Sequence, residues 1–229
     1  MNRTIRYVLA LVVLLGLGLA IYTYVPKAPP LSTANISETG KDGTEVNVKV
    51  VYGDSETYKV EVHYPQFGIP VVDAKIQAVV DNAVLAFKNY PANPSDSSVP
   101  KNEFTGSFNS AYVGADVVGV ALSFSEYTGG AHPNTVIVGV NVDRNTGKDV
   151  TLDDALLLIG KTLPEVGSES LVQLKAKIGE ELIFPEGAEP KADNYSTFTV
   201  NKDTVTFIFN TYQVAPYSAG PQEVSFARK

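Results

Sequence analysis

Residues 116–142 read DVVGVALSFSEYTGGAHPNTVIVGVNV, with two apolar runs on either side of a short segment rich in glycine. Residues 116–127 and 135–142 are apolar and rich in β-branched side chains, which is typical of strands. Between them, residues 129–133 (Gly-Gly-Ala-His-Pro) have the composition of a loop with demanding backbone geometry. The stretch therefore predicts two strands joined by that loop.

The flanking sequence predicts further strands and three helices. Residues 45–52 and 58–64 alternate apolar and polar side chains, as half-buried strands do. Residues 72–90 carry apolar side chains at helical spacing, and Pro91 ends that pattern. The same reasoning predicts strands at 104–112, 195–200, 204–210 and 224–226 and helices at 152–159 and 170–183. Because no regular strand–helix alternation appears, we expect an α+β fold with antiparallel sheets, a long helix in the first half and two helices in the second.

An apolar segment without charge occupies residues 7–25, close to the length of about 20 residues that spans a bilayer. Arg3 and Arg6 precede it and would leave residues 1–6 as a cytoplasmic tail. This predicts a single-pass anchor in the cytoplasmic membrane, with the remaining chain outside. The alternative is a signal peptide cleaved after a small-residue site at 18–20, which would give a secreted protein. Residues 26–43, rich in Pro, Ser, Thr and Gly, are predicted to form a flexible stalk, with folded structure from about Thr44.

Composition narrows the possible functions. The chain of 229 residues is 44% hydrophobic, enough for a substantial core, and it has no cysteine, which excludes disulfides and thiolate metal sites. The net charge is −7, and Arg3 and Arg6 are the only charged residues before Lys27. The part beyond the apolar segment is therefore more acidic still. Such a surface repels nucleic acid and anionic polymers and attracts basic partners.

Catalytic motifs are weak in this sequence. Its two histidines, His63 and His132, form no zinc-binding pattern, and we predict neither a metal nor a cofactor. His132 could act as a general base, with Ser218 or Thr128 as the nucleophile. The structural alternative is that the ring of His132, before Pro133, fixes the loop. A carboxylate pair for glycoside hydrolysis could come from the acidic residues near the loops, which are Glu126, Asp143 and Glu223.

A second loop-like cluster spans residues 211–221, with the sequence TYQVAPYSAGP. Together with the first loop it supplies several tyrosines, and a tyrosine offers a flat face with a polar tip. That combination suits sugar stacking or a protein interface, although packing at a sheet edge uses it equally often. The candidate binding residues are Tyr127, Gly129, Gly130, His132, Tyr212, Pro216 and Tyr217.

The two clusters together resemble the RsiV/PdaC-type extracytoplasmic domain family, which includes the ectodomain of an anti-sigma factor and the N-terminal region of a peptidoglycan deacetylase. The matching motifs are Tyr-Thr-Gly-Gly-Ala-His at 127–132 and Pro-Tyr-x-x-Gly-Pro at 216–221, with a Thr-Leu-Asp-Asp run at 151–154. The resemblance implies an α+β domain at the cell envelope, divided into a PdaC-like part (44–134) and an RsiV-like part (135–229).

The resemblance also implies a function. In this family the RsiV ectodomain is a receptor that binds lysozyme, whereas the PdaC region accompanies a deacetylase domain whose metal motifs are absent from this sequence. We therefore expect a membrane-tethered binding module whose partner is a cationic protein such as lysozyme or a cell-wall glycan. The alternative is an envelope glycan or ester hydrolase with His132 as base and Glu126 as a second catalytic candidate.

Overall fold

The structure is a computed structural model in which residues 31–39, 45–94 and 98–229 are described. Residues 31–229 form one unit. The described strands are β1 (Ser32–Thr39), β2 (Glu45–Asp54), β3 (Tyr58–Gln66), β4 (Asn102–Val113), β5 (Val117–Tyr127), β6 (Asn134–Asp143), β7 (Phe198–Val200), β8 (Thr204–Phe209) and β9 (Gln222–Ala227). The described α-helices are α1 (Pro70–Lys88), α2 (Leu152–Ile159) and α3 (Leu163–Ile178). This confirms the predicted α+β class with one helix in the first half and two in the second.

The first six strands form one sheet in sequential order, and the last three form a second, antiparallel sheet. Within the larger sheet β3 and β4 run parallel, a pairing that the predicted antiparallel sheets did not include. The reason is α1, which lies between β3 and β4 in the chain and returns it to the same end of the sheet before β4 begins. The remaining neighbours in that sheet pair antiparallel.

Helix α1 packs on one face of the six-stranded sheet. Its apolar stripe includes Val72, Ile76, Val80 and Phe87, which are almost completely buried. The opposing sheet residues come from alternate positions of the strands, such as Val60, Val62, Val120 and Leu122. Phe87 stacks on Phe104 at a centroid distance of 5.0 Å, so the end of the helix is fixed against β4. The hydrophobic effect of these apolar side chains holds the first half of the chain together.

A second core joins α2 and α3 to the three-stranded sheet, with Val166, Leu174, Tyr195 and Phe207 fully buried. Helix α3 begins at Leu163, seven residues before the start predicted at 170. The cause is a capping box in which Thr162 and Glu165 exchange side-chain and backbone hydrogen bonds, followed by a proline in the first turn. The strand predicted at 195–200 is limited to β7, because a 3-10 turn occupies Ala192–Tyr195.

The two sheets meet where β7 crosses the face of β5 and β6 opposite to α1. A Cβ atom added at Gly119 or Gly139 would overlap the backbone carbonyl oxygen of Val200 or Phe198, respectively. Asn141 of β6 completes this sheet junction, since its amide donates to the Phe198 carbonyl (2.7 Å) and accepts from the Val200 N–H (2.7 Å). Backbone approaches this close require glycine.

Several predictions for the N-terminal part lie outside the described residues, including the tail at 1–6 and the apolar segment at 7–25. Among the described helices, none has both the length and the apolar character needed to cross a membrane. Strand β1 lies inside the predicted stalk (26–43) and pairs with β2, so structure begins before Thr44. The predicted boundary between residues 134 and 135 falls at the start of β6, which pairs with β5 along its length.

Candidate functional site

The two loops that the sequence analysis singled out meet in space. The Tyr217 hydroxyl donates a hydrogen bond to the Pro133 carbonyl (3.2 Å), and the His132 and Tyr217 rings stack with centroids 3.7 Å apart. Tyr212 completes the contact, with its hydroxyl oxygen 3.5 Å from His132 Nε2 and its ring centroid 5.5 Å from that of Tyr217. We call His132, Tyr212 and Tyr217 the aromatic cluster. Residues 80 positions apart in sequence thus form one site.

The first loop is positioned by the β5–β6 hairpin. The two strands stay in register up to the pair Glu126–Asn134, so the loop begins directly at Tyr127. The Tyr127 hydroxyl donates to the Gly130 carbonyl (3.1 Å) and closes the turn. Gly129 and Gly130 have φ values of 96° and 156°, which other residues adopt only with strain. The glycine pair therefore shapes the loop and leaves His132 exposed at its far end.

The second loop is fastened at its start by Asn210. The Asn210 side chain accepts a hydrogen bond from the Ile137 N–H (2.6 Å) and donates to the Ile137 carbonyl (3.2 Å), tying the end of β8 to β6. Gln213 donates to the carbonyls of Gly187 (3.1 Å) and Asn194 (2.9 Å). These amide contacts fix the backbone on both sides of Tyr212.

Past this turn the chain is held by burial and by a short helical turn. Val214 and Ala215 are almost fully buried, while Pro216 precedes the 3-10 turn Tyr217–Ala219. Pro216 therefore acts on the conformation of the loop, and the turn that follows it presents the Tyr217 ring to His132.

Tyr212 has an unusual backbone. Its φ of 69° lies in the left-handed region, where it is the non-glycine residue found in the described part of the chain. Its side chain is nevertheless 56% exposed. A bulky residue held in this conformation without burial suggests that the position of the ring matters for something other than packing.

Glu126, the second catalytic candidate, is hydrogen-bonded at the end of β5. One of its carboxylate oxygens accepts hydrogen bonds from the Tyr90 hydroxyl (3.3 Å) and from the Asn134 amide (3.3 Å). The negative charge of Glu126 raises the pKa of Tyr90, since it disfavours the tyrosinate. Both donors are neutral, and Glu126 takes part in no ion pair with the residues that the structure describes.

In the part of the chain that it describes, the structure does not pair His132 with either of its proposed nucleophiles, Ser218 and Thr128. Its Nδ1 donates to the Pro133 carbonyl (2.9 Å), and its Nε2 faces the Tyr212 hydroxyl. Ser218 and Thr128 make no hydrogen bond to this ring within the described residues. The other histidine, His63, lies on β3 and contacts Glu61 at 3.3 Å. The described part of the chain contains no group of three or more histidines and carboxylates that could hold a metal ion.

A separate open cavity of about 670 Å³ lies between the end of β6 and α2, and neither loop lines it. Its acidic side chains have structural partners. Asp143 accepts from the backbone of Thr146 and Asp154 from Thr151, and these hydrogen bonds lower the pKa of both carboxyl groups. Asp149 pairs with Lys75 at 2.8 Å. We therefore place the candidate site at the aromatic cluster.

The residues that position the cluster were missed by the sequence analysis. They are Asn210 and Gln213, which lie on either side of Tyr212 in sequence. The only sequence feature that marked them was a polar amide after an apolar strand. Such an amide predicts a turn, but it does not predict which distant residue the amide will bond. Their function depends on backbone groups of β6 and of the segment before β7, which sequence does not bring together.

Two segments of the chain match models of known protein families. Residues 51–135 match the family model described as deacetylase PdaC, and residues 161–229 match a family of proteins of unknown function, DUF3298. One segment of the chain is thus similar to the PdaC model and a later one to the DUF3298 model, which confirms the PdaC-type resemblance. The first loop falls in the PdaC match and the second in the DUF3298 match, so the aromatic cluster joins the two.

Individual relatives agree with this assignment. The chain is 23% identical over 187 residues to the peptidoglycan-N-acetylmuramic acid deacetylase PdaC of Bacillus subtilis, which covers 80% of this chain and 40% of PdaC. It thus spans less than half the length of that relative. It is 26% identical over 158 residues to the immunogenic protein MPT64 of Mycobacterium tuberculosis, covering 66% of this chain and 69% of MPT64.

Solved structures show the same fold. A DUF3298 protein from Pseudomonas aeruginosa superimposes with a TM-score of 0.52 at 19% identity, covering 88% of this chain and 96% of that one. A DUF3298 family member from Bacteroides fragilis gives a TM-score of 0.50 at 16% identity, covering 86% and 90%. At these identities the likeness concerns the fold alone.

Proposed function

We propose that this chain is a binding module of the cell envelope that captures a cationic, lysozyme-type muralytic enzyme through the aromatic cluster. The observation that carries the proposal is the meeting of two sequence motifs in one group of exposed and half-buried rings, fixed by hydrogen bonds between the loops. Tyrosine is among the residues most enriched at the energetic centres of protein interfaces, because it offers much contact area for little lost side-chain freedom.

The distribution of charge supports a basic partner. The chain has a net charge of −7 and a pI near 4.9. No Lys or Arg occurs between Lys101 and Arg144, or between Lys202 and Arg228, and these are the segments that build the site. An acidic surface raises the rate at which a basic protein associates and disfavours acidic competitors.

The relatives support a place at the cell envelope. PdaC is named as a deacetylase of peptidoglycan, and this chain shares a PdaC-type domain with it. We propose that this chain, like PdaC, is associated with the envelope, and we do not assign it a deacetylase activity. An anchor at residues 7–25 in the cytoplasmic membrane would hold the domain on the outside, and cleavage of that segment would release it.

Peptidoglycan glycan is the second candidate ligand, and the exposed rings favour it. The face of a tyrosine can stack on the apolar face of a sugar, and a polar tip nearby can bind sugar hydroxyls. The aromatic cluster offers two tyrosine rings and an imidazole within one contact group. A glycan would use the same residues as a protein partner, so the two ligands would compete.

The test is a titration of the full chain, kept in mild detergent, with egg-white lysozyme and separately with soluble muropeptides at low and moderate salt. We expect saturable binding of lysozyme that weakens as salt increases, since exposed charges are screened. Matched variants are Tyr217→Leu, within the cluster, and Tyr52→Leu, an exposed tyrosine on β2. Absence of binding to either ligand at low salt would overturn the proposal. Turnover of muropeptides that disappears in His132→Ala would instead support the hydrolase alternative.

A further inference from the structure

Tyr212 is the open ring of the aromatic cluster. The His132 and Tyr217 rings stack on each other with an angle of 25°, so each covers a face of the other. The Tyr212 ring is tilted by 38° from that of Tyr217 and remains 56% exposed. The third ring therefore contacts the stacked pair and remains accessible.

The electrostatic surroundings of this ring favour a positive group. The face of an aromatic ring carries partial negative charge and attracts a Lys or Arg side chain placed within about 6 Å of its centre. Glu126 accepts hydrogen bonds from neutral donors only, so its charge is not offset by an ion pair in the described part of the chain. Glu103, an exposed carboxylate, lies opposite Tyr127 in the β4–β5 register.

The backbone at Tyr212 is a second, independent observation. Asn210 and Gln213 close a turn through a backbone hydrogen bond (2.9 Å), and within it Tyr212 has its φ of 69°. Glycine or asparagine satisfies such a position with less strain. A tyrosine in this position indicates that the ring is needed there, because burial of the side chain does not compensate for the backbone strain.

We propose that the exposed face of Tyr212 is a binding site for the guanidinium or ammonium group of a partner's side chain. This inference deepens the proposed function, on which it rests, by assigning the part of the cationic enzyme that the site contacts. Tyr217 and His132 contact the ring, and the two segments that build the site, residues 102–143 and 203–227, contain no Lys or Arg that would repel a cation.

A small-molecule experiment tests the site without relying on lysozyme. The full chain, labelled with ¹³C in its tyrosine rings and kept in mild detergent, is titrated with N-acetyl-arginine amide and with the neutral analogue N-acetyl-citrulline amide. The Tyr212→Phe variant identifies the Tyr212 signal. We expect this signal to move with the arginine probe and not with the citrulline probe.

Variants then connect the site to lysozyme binding. We expect Tyr212→Leu, which removes the ring, to weaken lysozyme binding about tenfold, Tyr212→Phe to weaken it about twofold, and Tyr52→Leu to leave it unchanged. If lysozyme binds and Tyr212→Leu has no effect, this inference is wrong while the proposed function stands. If the arginine probe shifts Tyr212 but lysozyme does not bind, the proposed partner is wrong while the cation site stands. Equal shifts with both probes would also overturn the inference.

Discussion

Two of the contacts between the halves of this chain differ in kind, and the difference separates stability from recognition. At the sheet junction, β7 lies directly against Gly119 and Gly139, and Asn141 is buried with both of its amide atoms hydrogen-bonded. At the aromatic cluster, the contact consists of exposed and half-buried rings, with hydrogen bonds from Tyr217 to Pro133 and between Tyr212 and His132. Buried polar contacts are costly to break, whereas exposed ring contacts contribute little to folding.

The glycines in the two regions differ in the same way, because one set shapes a surface loop and the other allows close packing. Gly129 and Gly130 stand out in the sequence because they are adjacent and lie between strands, and a Cβ added at Gly130 would meet no other atom. Gly139 is inconspicuous within an apolar strand, yet a Cβ there would collide with backbone. The conspicuous pair shapes a surface loop, and the hidden one permits the two sheets to pack.

The largest effect we expect is from Gly139→Ala. The new methyl group would push the Phe198 carbonyl away from β6 and separate the sheets, which should lower the free energy of unfolding by about 3 kcal/mol. The measurement is urea-induced unfolding followed by circular dichroism. Gly53→Ala is the matched control, because a Cβ at this strand glycine meets the flexible tip of Leu31. Equal losses in both variants would show that the junction is not as tight as described.

Asn141→Ala should have the second largest effect and lower the free energy of unfolding by about 2 kcal/mol. The change leaves the Phe198 carbonyl and the Val200 N–H buried without partners. Urea midpoints at constant m-value would measure it. Asn47→Ala, on an exposed position of β2, should change stability by less than about 0.5 kcal/mol. A similar small change at Asn141 would mean that water reaches these groups.

The contrast between the regions also explains which parts of the structure could be predicted. Apolar periodicity was sufficient for β5, β6 and α1, because each buries one face against its neighbours. It placed α2 at 152–159, as observed, since the Thr151 cap and the apolar run lie next to each other. It missed the first turns of α3, where the signal was the Thr162–Glu165 capping box rather than an apolar stripe.

The site was predicted as two separate loops, and sequence could not show that they meet. The loops are joined through Asn210 and Ile137, residues 73 positions apart, and neither has a recognisable motif. The parallel pairing of β3 with β4 was missed for a similar reason. It depends on where α1 returns the chain, which is a property of packing and not of local pattern.

Tyr212 offers a smaller test, in which two variants differ by one methyl group. Both Tyr212→Gly and Tyr212→Ala remove the ring, but only alanine keeps a Cβ in the left-handed conformation. We expect the glycine variant to be more stable by about 0.5–1 kcal/mol, after allowing for the greater freedom of glycine in the unfolded chain. Urea unfolding of the two proteins side by side measures this. Greater stability of the alanine variant would show that Tyr212 is not held at positive φ in solution.

The smallest expected effect is the coupling between His132 and Tyr217. Their stacked rings lie on the surface, so His132→Ala and Tyr217→Leu should each cost little. A double-mutant cycle should nevertheless give a coupling free energy of about 0.5 kcal/mol, because either change removes the same contact. The same cycle with Tyr52→Leu in place of Tyr217→Leu should give none, since Tyr52 lies on β2. Zero coupling for the His132–Tyr217 pair would mean that the loops are apart in solution. The aromatic cluster would then form only around a ligand, while the sheet junction and the Asn210–Ile137 hydrogen bonds would still join the two halves.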